Sequence, residues 1–283
     1  MKFLLTAINA KFIHSNPAIY SLRAGAGEKL QPYVELAEFT INESLESILE
    51  GIWKRQPKVI GFSCYIWNWK LIREILTELP KILPDTEIWL GGPEVTYDGP
   101  GLLREFPQVT GIMVGEGEVT FREVLEQYLR EAETAGQSEQ QPESDSTEHQ
   151  AADRRGTVAG KSMVERFGQI PGLCLASGYT APRDLTDLTT LPFLYEDMEP
   201  FTNRIIYYET SRGCPYRCSY CLSSIDKKVR LRDISVVKRE LQFFLDQNVK
   251  QVKFIDRTFN CDHKHAMEIW RYIYEHDLSL IHI

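Results

Sequence analysis

Strand-like and helix-like runs alternate through the first 130 residues, and that alternation leaves few folds open. "KFLLTAI", "VELAEFT", "KVIGFSCYI", "EIWLGG" and "GIMVGEGE" are short, apolar, strand-like runs. Between them lie stretches with a helical period. "NPAIYSLRAGAGEKL" sets Ile19, Leu22, Ala26 and Leu30 on one face, and "ESLESILEGIWKR" does the same with Leu45, Ile48, Leu49 and Ile52. "KLIREILTELPKIL" and "TFREVLEQYLREAE" supply further helices. Such a pattern predicts an α/β domain with a parallel sheet covered on both faces. Open sheets of this kind hold ligands beyond the carboxyl ends of their strands. Four loops fall there: "NAKFIHSNP", "SCYIWNW", "GGPEVTYD" and "GEGEVT". All are rich in Gly, Asn, Ser or Pro, so a ligand can approach the backbone closely.

The pattern breaks after residue 130. Residues 131–167 are polar and acidic with few large apolar side chains, and are read as a disordered linker or insert. Residues 168–203 read as a connector that begins with a short strand or hairpin, "IPGLCLASG". A second alternation fills residues 204–283. "RIIYYETS", "VKQVKFIDRTF" and "LSLIHI" are its strands, with helices at "ISVVKRELQFFLDQN" and "HKHAMEIWRYIYEH". That is the first part of a βα barrel. Its last apolar run has no strand after it to pair with, so the chain reads as a C-terminal truncation, expected to self-associate and to be inactive alone. The net charge of -8 argues against a broad nucleic-acid surface. No apolar run is long enough for a membrane span, and six scattered cysteines make no disulfide framework. A cytoplasmic setting is the simplest expectation.

"TSRGCPYRCSYC" follows directly on the first strand of the second alternation and places Cys214, Cys218 and Cys221 in a C-x3-C-x2-C array. Four thiolates would close a zinc site or saturate a cubic iron–sulfur cluster. Three can hold a [4Fe–4S] cluster and leave one iron open, as a catalytic site requires. The competing reading is a zinc knuckle that borrows a distant ligand such as Cys261 or His263. His263 and His265 are otherwise expected at the surface, and Cys261 as a plain buried thiol.

The cysteine spacing, the aromatic Tyr220 before the last cysteine and the βα context resemble the radical S-adenosylmethionine superfamily. That resemblance implies a [4Fe–4S] cluster, reductive cleavage of S-adenosylmethionine to a 5'-deoxyadenosyl radical, and an electron donor such as flavodoxin or ferredoxin. It also implies that Tyr220, Asp256 and Arg257, the last two in "VKFIDRTFN", contact S-adenosylmethionine. A structural Asp–Arg pair is the alternative for Asp256 and Arg257.

A parallel-sheet domain ahead of such a core resembles the cobalamin-binding subgroup. The implied fold is a Rossmann/flavodoxin-like sheet followed by a partial TIM-like barrel. Known cobalamin domains of this fold carry D-x-H-x-x-G, S-x-L and G-G after strands one, three and four. Here the first marker is absent, with His14 displaced in "NAKFIHSN". The second is partial as Ser63-Cys64-Tyr65, and the third is present as Gly91-Gly92. By this resemblance Asn9, His14, Ser15, Ser63, Tyr65, Gly91, Gly92, Pro93, Glu94, Gly115, Glu116 and Gly117 surround cobalamin. His14 has two readings, axial ligand to cobalt or stabiliser of its own loop. The two glycines let the backbone approach the nucleotide tail. Tyr65, Trp67 and Trp69 can cover the corrin, packing being the other reading for each.

The resulting expectation is a cobalamin-dependent radical S-adenosylmethionine enzyme for methyl transfer or radical rearrangement, of unknown substrate. One alternative is an enzyme whose first domain has lost cobalamin and docks substrate. Another is a flavin- or nucleotide-binding module with a structural metal knuckle. A methylthiotransferase would need a second three-cysteine set in the first domain, where only Cys64 lies.

Overall fold

The computed structural model describes residues 2–138, 162–224 and 228–276. The chain forms two compact units. One comprises the residues up to Lys11 together with Ala18–Leu185; the other comprises Phe12–Pro17 and the residues from Thr186 onward.

The first unit is a seven-stranded sheet. Its strands are β1 (Phe3–Asn9), β2 (Val34–Thr40), β3 (Val59–Ser63), β4 (Glu87–Gly91), β5 (Val109–Met113), β6 (Leu173–Leu175) and β7 (Gly178–Tyr179), in the spatial order β2-β1-β3-β4-β5-β6-β7. The first five are parallel, with Phe3 opposite both Val34 and Val59; β6 and β7 add antiparallel. Every residue of β1 is buried, as a central strand covered on two faces must be. Its side chains alternate between two cores. Leu4 and Ile8 pack with Ile48 and Ile52 of helix α2 (Leu45–Trp53) and with Ile72, Ile75 and Leu76 of helix α3 (Trp69–Ile82). Phe3, Leu5 and Ala7 pack with Ile19 of helix α1 (Pro17–Gly25) and with Phe121, Val124 and Leu125 of helix α5 (Gly117–Ser138). Helix α4 (Gly99–Glu105) connects β4 to β5. Each fully buried Leu, Ile or Phe contributes about 1.5–3 kcal/mol to this arrangement.

The polar stretch after residue 130 departs from its compositional reading on both flanks. Helix α5 runs on to Ser138. Helix α6 (Met163–Phe167) is closed by a capping box between Ser162 and Glu165. Phe167 is fully buried against Trp89 and Tyr128. Arg166 is buried too, because its guanidinium reaches two carboxylates: Glu87 at 3.0 and 3.1 Å, and Glu131 at 2.9 and 2.8 Å. Charge that is paired in this way can leave water. The expected connector likewise divides, since the β6–β7 hairpin extends the first sheet and this unit continues to Leu185. Residues 139–161 of the expected insert lie outside the described residues.

The second unit holds a parallel βαβ element. Strand β8 (Ile206–Tyr208) pairs with β11 (Val252–Phe254) around helix α7 (Ile234–Asp246), and helix α8 (His263–Glu275) follows. The expected strand "RIIYYETS" is interrupted after Tyr208. Its end becomes β9 (Ser211–Arg212), which turns to pair antiparallel with β10 (Arg230–Leu231). Phe193, Tyr195, Phe201, Tyr208 and Phe244 interlock edge-to-face or tilted beside α7, with ring centroids 4.8–5.8 Å apart. The expected strand "LSLIHI" lies outside the described residues.

Candidate cofactor sites

In the first unit the strand order reverses between β1 and β3, the kind of switch point at whose carboxyl edge open parallel sheets hold ligands. A wholly buried side chain fixes that edge. Asn68 Nδ2 donates to the Ile8 carbonyl at 3.0 Å and to the Ser63 carbonyl at 2.9 Å, while Oδ1 accepts from the Tyr65 N–H at 2.8 Å. The sequence reading did not single out Asn68; its position one turn beyond a strand end was the available signal. The Cys64 N–H donates to the Gly91 carbonyl at 2.7 Å and carries the clasp on to β4.

The glycines of this edge differ. Gly92 has φ +109°, and a Cβ there would lie 2.4 Å from the Cys64 carbonyl oxygen. It must be glycine because of the neighbouring backbone, whatever binds nearby. Gly91 has ordinary backbone, and its Cβ would meet only Met113, at 3.8 Å, so no neighbouring protein atom requires glycine there. Gly115 has φ +80° with open space around it, whereas a Cβ on Gly117 would press on Leu22 at 2.9 Å. Pro93 and Glu94 are exposed, and Ser63 and Glu116 are half-buried. Asn9 is turned to β2, donating to Glu38 Oε1 at 2.8 Å. Tyr65 stacks on Trp67 with centroids 4.4 Å apart and rings 9° from parallel, and Trp67 keeps 47% of its surface exposed. This pair presents a flat apolar surface. Trp69 instead packs inward, edge-on to Phe106 at 6.3 Å, so for that residue packing wins. The Cys64 thiol is fully buried, and desolvation pushes it far above the ordinary thiol range.

Two residues expected beside cobalamin lie in the second unit. His14 Nδ1 is hydrogen-bonded to Tyr207 Oη, and Ser15 Oγ donates to the Ile205 carbonyl at 3.2 Å.

The second unit gathers its chemistry where β8 and β11 end. Asp256, just past β11, accepts from Thr210 Oγ1 at 2.7 Å, Ser211 Oγ at 2.5 Å and the Thr210 N–H at 3.2 Å. These bonds orient the carboxylate and tie the two strand ends together. Cys214, Cys218 and Cys221 are all half-buried on the loop after β9. Gly213 begins that loop at φ +92°, where a Cβ would strike the Lys228 carbonyl oxygen at 2.2 Å. Cys214 Sγ is 3.4 Å from Thr258 Oγ1. Hydrogen bonds from Ser223, with the charge of Arg257, hold the Cys221 thiol below its ordinary value and favour the thiolate. Tyr220 is 90% exposed beside it.

Cys261 is half-buried rather than buried, with its thiol raised by desolvation. His263 is exposed, but His265 is buried, contrary to expectation, and its Nε2 has no hydrogen-bond partner. Turning toward the protein at the first turn of α8 desolvates the ring and lowers its pKa. Among the described residues no three His, Cys, Asp or Glu side chains gather around a single-ion position. Three thiolates on one loop are the donor set that would hold three irons of a cubic cluster and leave the fourth without a protein ligand.

Residues 4–125 match the B12 binding domain family. The chain is 27% identical over 248 residues to the 2-(S-pantetheinyl)-carbapenam-3-carboxylate methyltransferase of Streptantibioticus cattleyicolor, covering 84% of this chain and 32% of that protein. It is 28% identical over 215 residues to the cobalamin-dependent radical SAM methyltransferase TokK of Streptomyces tokunonensis, covering 72% of this chain and 28% of that one. The chain thus spans about a third of the length of these relatives. The structure of the radical S-adenosylmethionine methyltransferase TsrM from Kitasatospora setae matches 99% of this chain and 52% of its own, with TM-score 0.63 and 18% identity. No helix among the described residues is long and apolar enough to cross a membrane. Residues 4–125 thus resemble a B12 binding domain, in a chain whose fold matches that of a radical S-adenosylmethionine methyltransferase.

Proposed function

We propose that this chain carries the cofactor-binding part of a cobalamin-dependent radical S-adenosylmethionine methyltransferase. The observation that carries the reading is the three-cysteine loop at the end of the first strand of a parallel βαβ element, beside an oriented carboxylate, in a chain whose residues 4–125 match the B12 binding domain family. Bound, a [4Fe–4S] cluster supplies a low-potential electron and an open iron for S-adenosylmethionine, and cobalamin supplies a carrier for a methyl group. Cys214, Cys218 and Cys221 would hold the cluster, and hydrogen bonds from Ser223, with the charge of Arg257, favour the ligating thiolate of Cys221. Asp256 receives the cofactor's ammonium group, its orientation fixed by Thr210 and Ser211. Tyr220 is free to lie along the nucleoside. In the first unit Gly91 and Gly115 leave room for the corrinoid's tail, with Ser63 as a hydrogen-bonding partner. Tyr65 and Trp67 offer a flat face to the ring. Methyl transfer is preferred over rearrangement because the two curated relatives compared above are named methyltransferases. The electron comes from a protein donor such as flavodoxin or ferredoxin.

Anaerobic reconstitution of the chain tests this. It should load about four irons with matching sulfide, and each of Cys214→Ala, Cys218→Ala and Cys221→Ala should abolish the cluster. Hydroxocobalamin should bind with a change in its own absorption bands. A triple variant that still binds iron and sulfide in that ratio, or a folded chain that binds flavin and no corrinoid, would overturn the reading.

A further inference from the structure

The segment Phe12–Pro17 leaves the end of β1 and becomes part of the second unit. There it runs parallel to the residues that enter β8. His14 forms a parallel bridge with Ile205, the Ile205 N–H donates to the Ile13 carbonyl at 2.9 Å, and the Ile205 carbonyl accepts from Ser15 Oγ at 3.2 Å. The Arg204 guanidinium lies 5.2 Å from the ring centre of Phe12. On β8 itself, the Ile206 N–H and the Tyr208 carbonyl face β11. By the alternation of a strand, Ile205 and Tyr207 face the other edge. The Tyr207 carbonyl accepts there from Tyr195 Oη, and the Tyr207 hydroxyl is bonded to His14 Nδ1, with the two rings stacked at 5.9 Å. Residues 12–15 and Tyr195 therefore cover the edge of β8 that β11 leaves. Just beyond β8 come Thr210 and Ser211, which hold Asp256.

We propose that His14 is a positioning residue: paired with Tyr207, it straps the outer edge of β8 and sets where Thr210 and Ser211 hold Asp256. The proposal rests on the reading of Asp256 as the S-adenosylmethionine contact. The chemistry of the pair supports it. Burial pushes the Tyr207 phenol above its ordinary value, so the phenol keeps its proton and remains a hydrogen-bonding partner for His14 Nδ1. With its Nδ1 bonded to Oη and its ring stacked on that of Tyr207, the imidazole is held against β8.

The test uses the full chain, reconstituted with cluster and hydroxocobalamin, and the variants His14→Ala, His14→Gln, Tyr207→Phe and the double variant His14→Ala/Tyr207→Phe. S-adenosylmethionine is titrated against the electron paramagnetic resonance of the reduced cluster. Each of His14→Ala and Tyr207→Phe should weaken binding about tenfold, the equivalent of one hydrogen bond. The double variant should be no weaker than either, since both remove one interaction. His14→Gln, whose amide can bond the phenol hydroxyl as donor or acceptor, should recover most of the affinity, and it keeps the test decisive if His14→Ala fails to fold. The reduced cobalt spectrum should show no imidazole nitrogen splitting in the parent chain and should not change in His14→Ala. Nitrogen splitting that vanishes on removing His14 would make it a ligand and overturn the proposal. Unchanged affinity in the folded single variants, or strictly additive losses, would overturn it as well. A chain that binds no corrinoid would instead refute the cobalamin reading, and the titration would still decide the strap.

Discussion

Gly91 and Gly92 stand side by side and lack side chains for different reasons. A Cβ on Gly92 meets the backbone of Cys64, while one on Gly91 meets almost nothing. Gly92→Ala should therefore lower the stability of the first unit by more than the usual cost of a strained backbone, which is on the order of 1–3 kcal/mol, with or without cofactor. Gly91→Val should leave the urea midpoint nearly unchanged and weaken corrinoid binding; equal effects of the two on folding would contradict this. From the sequence the pair looked like one ligand signature, because the backbone that excludes a side chain from Gly92 comes from a different loop. The cysteines differ in a similar way. The folded protein depresses the Cys221 pKa through Ser223 and Arg257, and raises those of Cys174 and Cys261 by burial. A depressed pKa means that the thiolate persists to lower pH. In the cluster-free protein, iodoacetamide should modify Cys221 before Cys261, and Arg257→Gln should move the onset of Cys221 alkylation to higher pH. Peptide mapping across a pH series reads both, and equal reactivity of Cys221 and Cys261 would refute the asymmetry.

At the scale of elements, the strands were legible and the flanks of the polar stretch were not. β1, β3 and β4 are apolar runs too short for helices, and burial on both faces follows from that. α4 was missed because its start, "GPG", carries turn residues; Asp98 caps it by accepting from the Gly101 N–H. α6 was missed because composition weighs Arg166 as a solvated charge. In the fold its guanidinium joins Glu87 at the start of β4 to Glu131 on α5, and lies 5.2 and 4.7 Å from the ring centres of Tyr128 and Phe167. Tyr128 Oη donates to Glu87 Oε2 at 2.7 Å and accepts from Trp89 Nε1 at 2.8 Å. Removing the single cation leaves two carboxylates short of a partner in a largely dry site. Arg166→Ala should thus destabilise the first unit by about 3–5 kcal/mol, measured by urea unfolding. Adding Glu87→Gln and Glu131→Gln to that variant should recover part of the loss. A loss below about 1 kcal/mol, the size expected of an exposed ion pair, would show that the network is solvated.

At the scale of the molecule, composition places the end of the first unit near residue 130, but its two cores extend further. Phe167, Ile170, Leu173 and Leu175 are buried in one core and Cys174 in the other, and Ile112 of β5 pairs with Cys174. Burial of each large side chain is worth about 1.5–3 kcal/mol, against a net stability of about 5–15 kcal/mol for a typical domain. A fragment of residues 1–130 should therefore be partly unfolded, with the β5 edge exposed, while residues 1–185 should unfold in one cooperative step and bind hydroxocobalamin. The sequence also hides the discontinuity of the units, since the bond that draws the segment after β1 into the second unit joins residues 193 apart. The longer fragment lacks Ile205 and Tyr207, so its Phe12–Pro17 segment has lost the strand edge it pairs with. Trypsin should then cut after Lys11 much faster in residues 1–185 than in the full chain, with the rest of the fragment resistant. Equal cutting rates at Lys11, or a monomeric 1–130 fragment with slow amide exchange in β5 and full corrinoid affinity, would show that the units divide where composition alone places them.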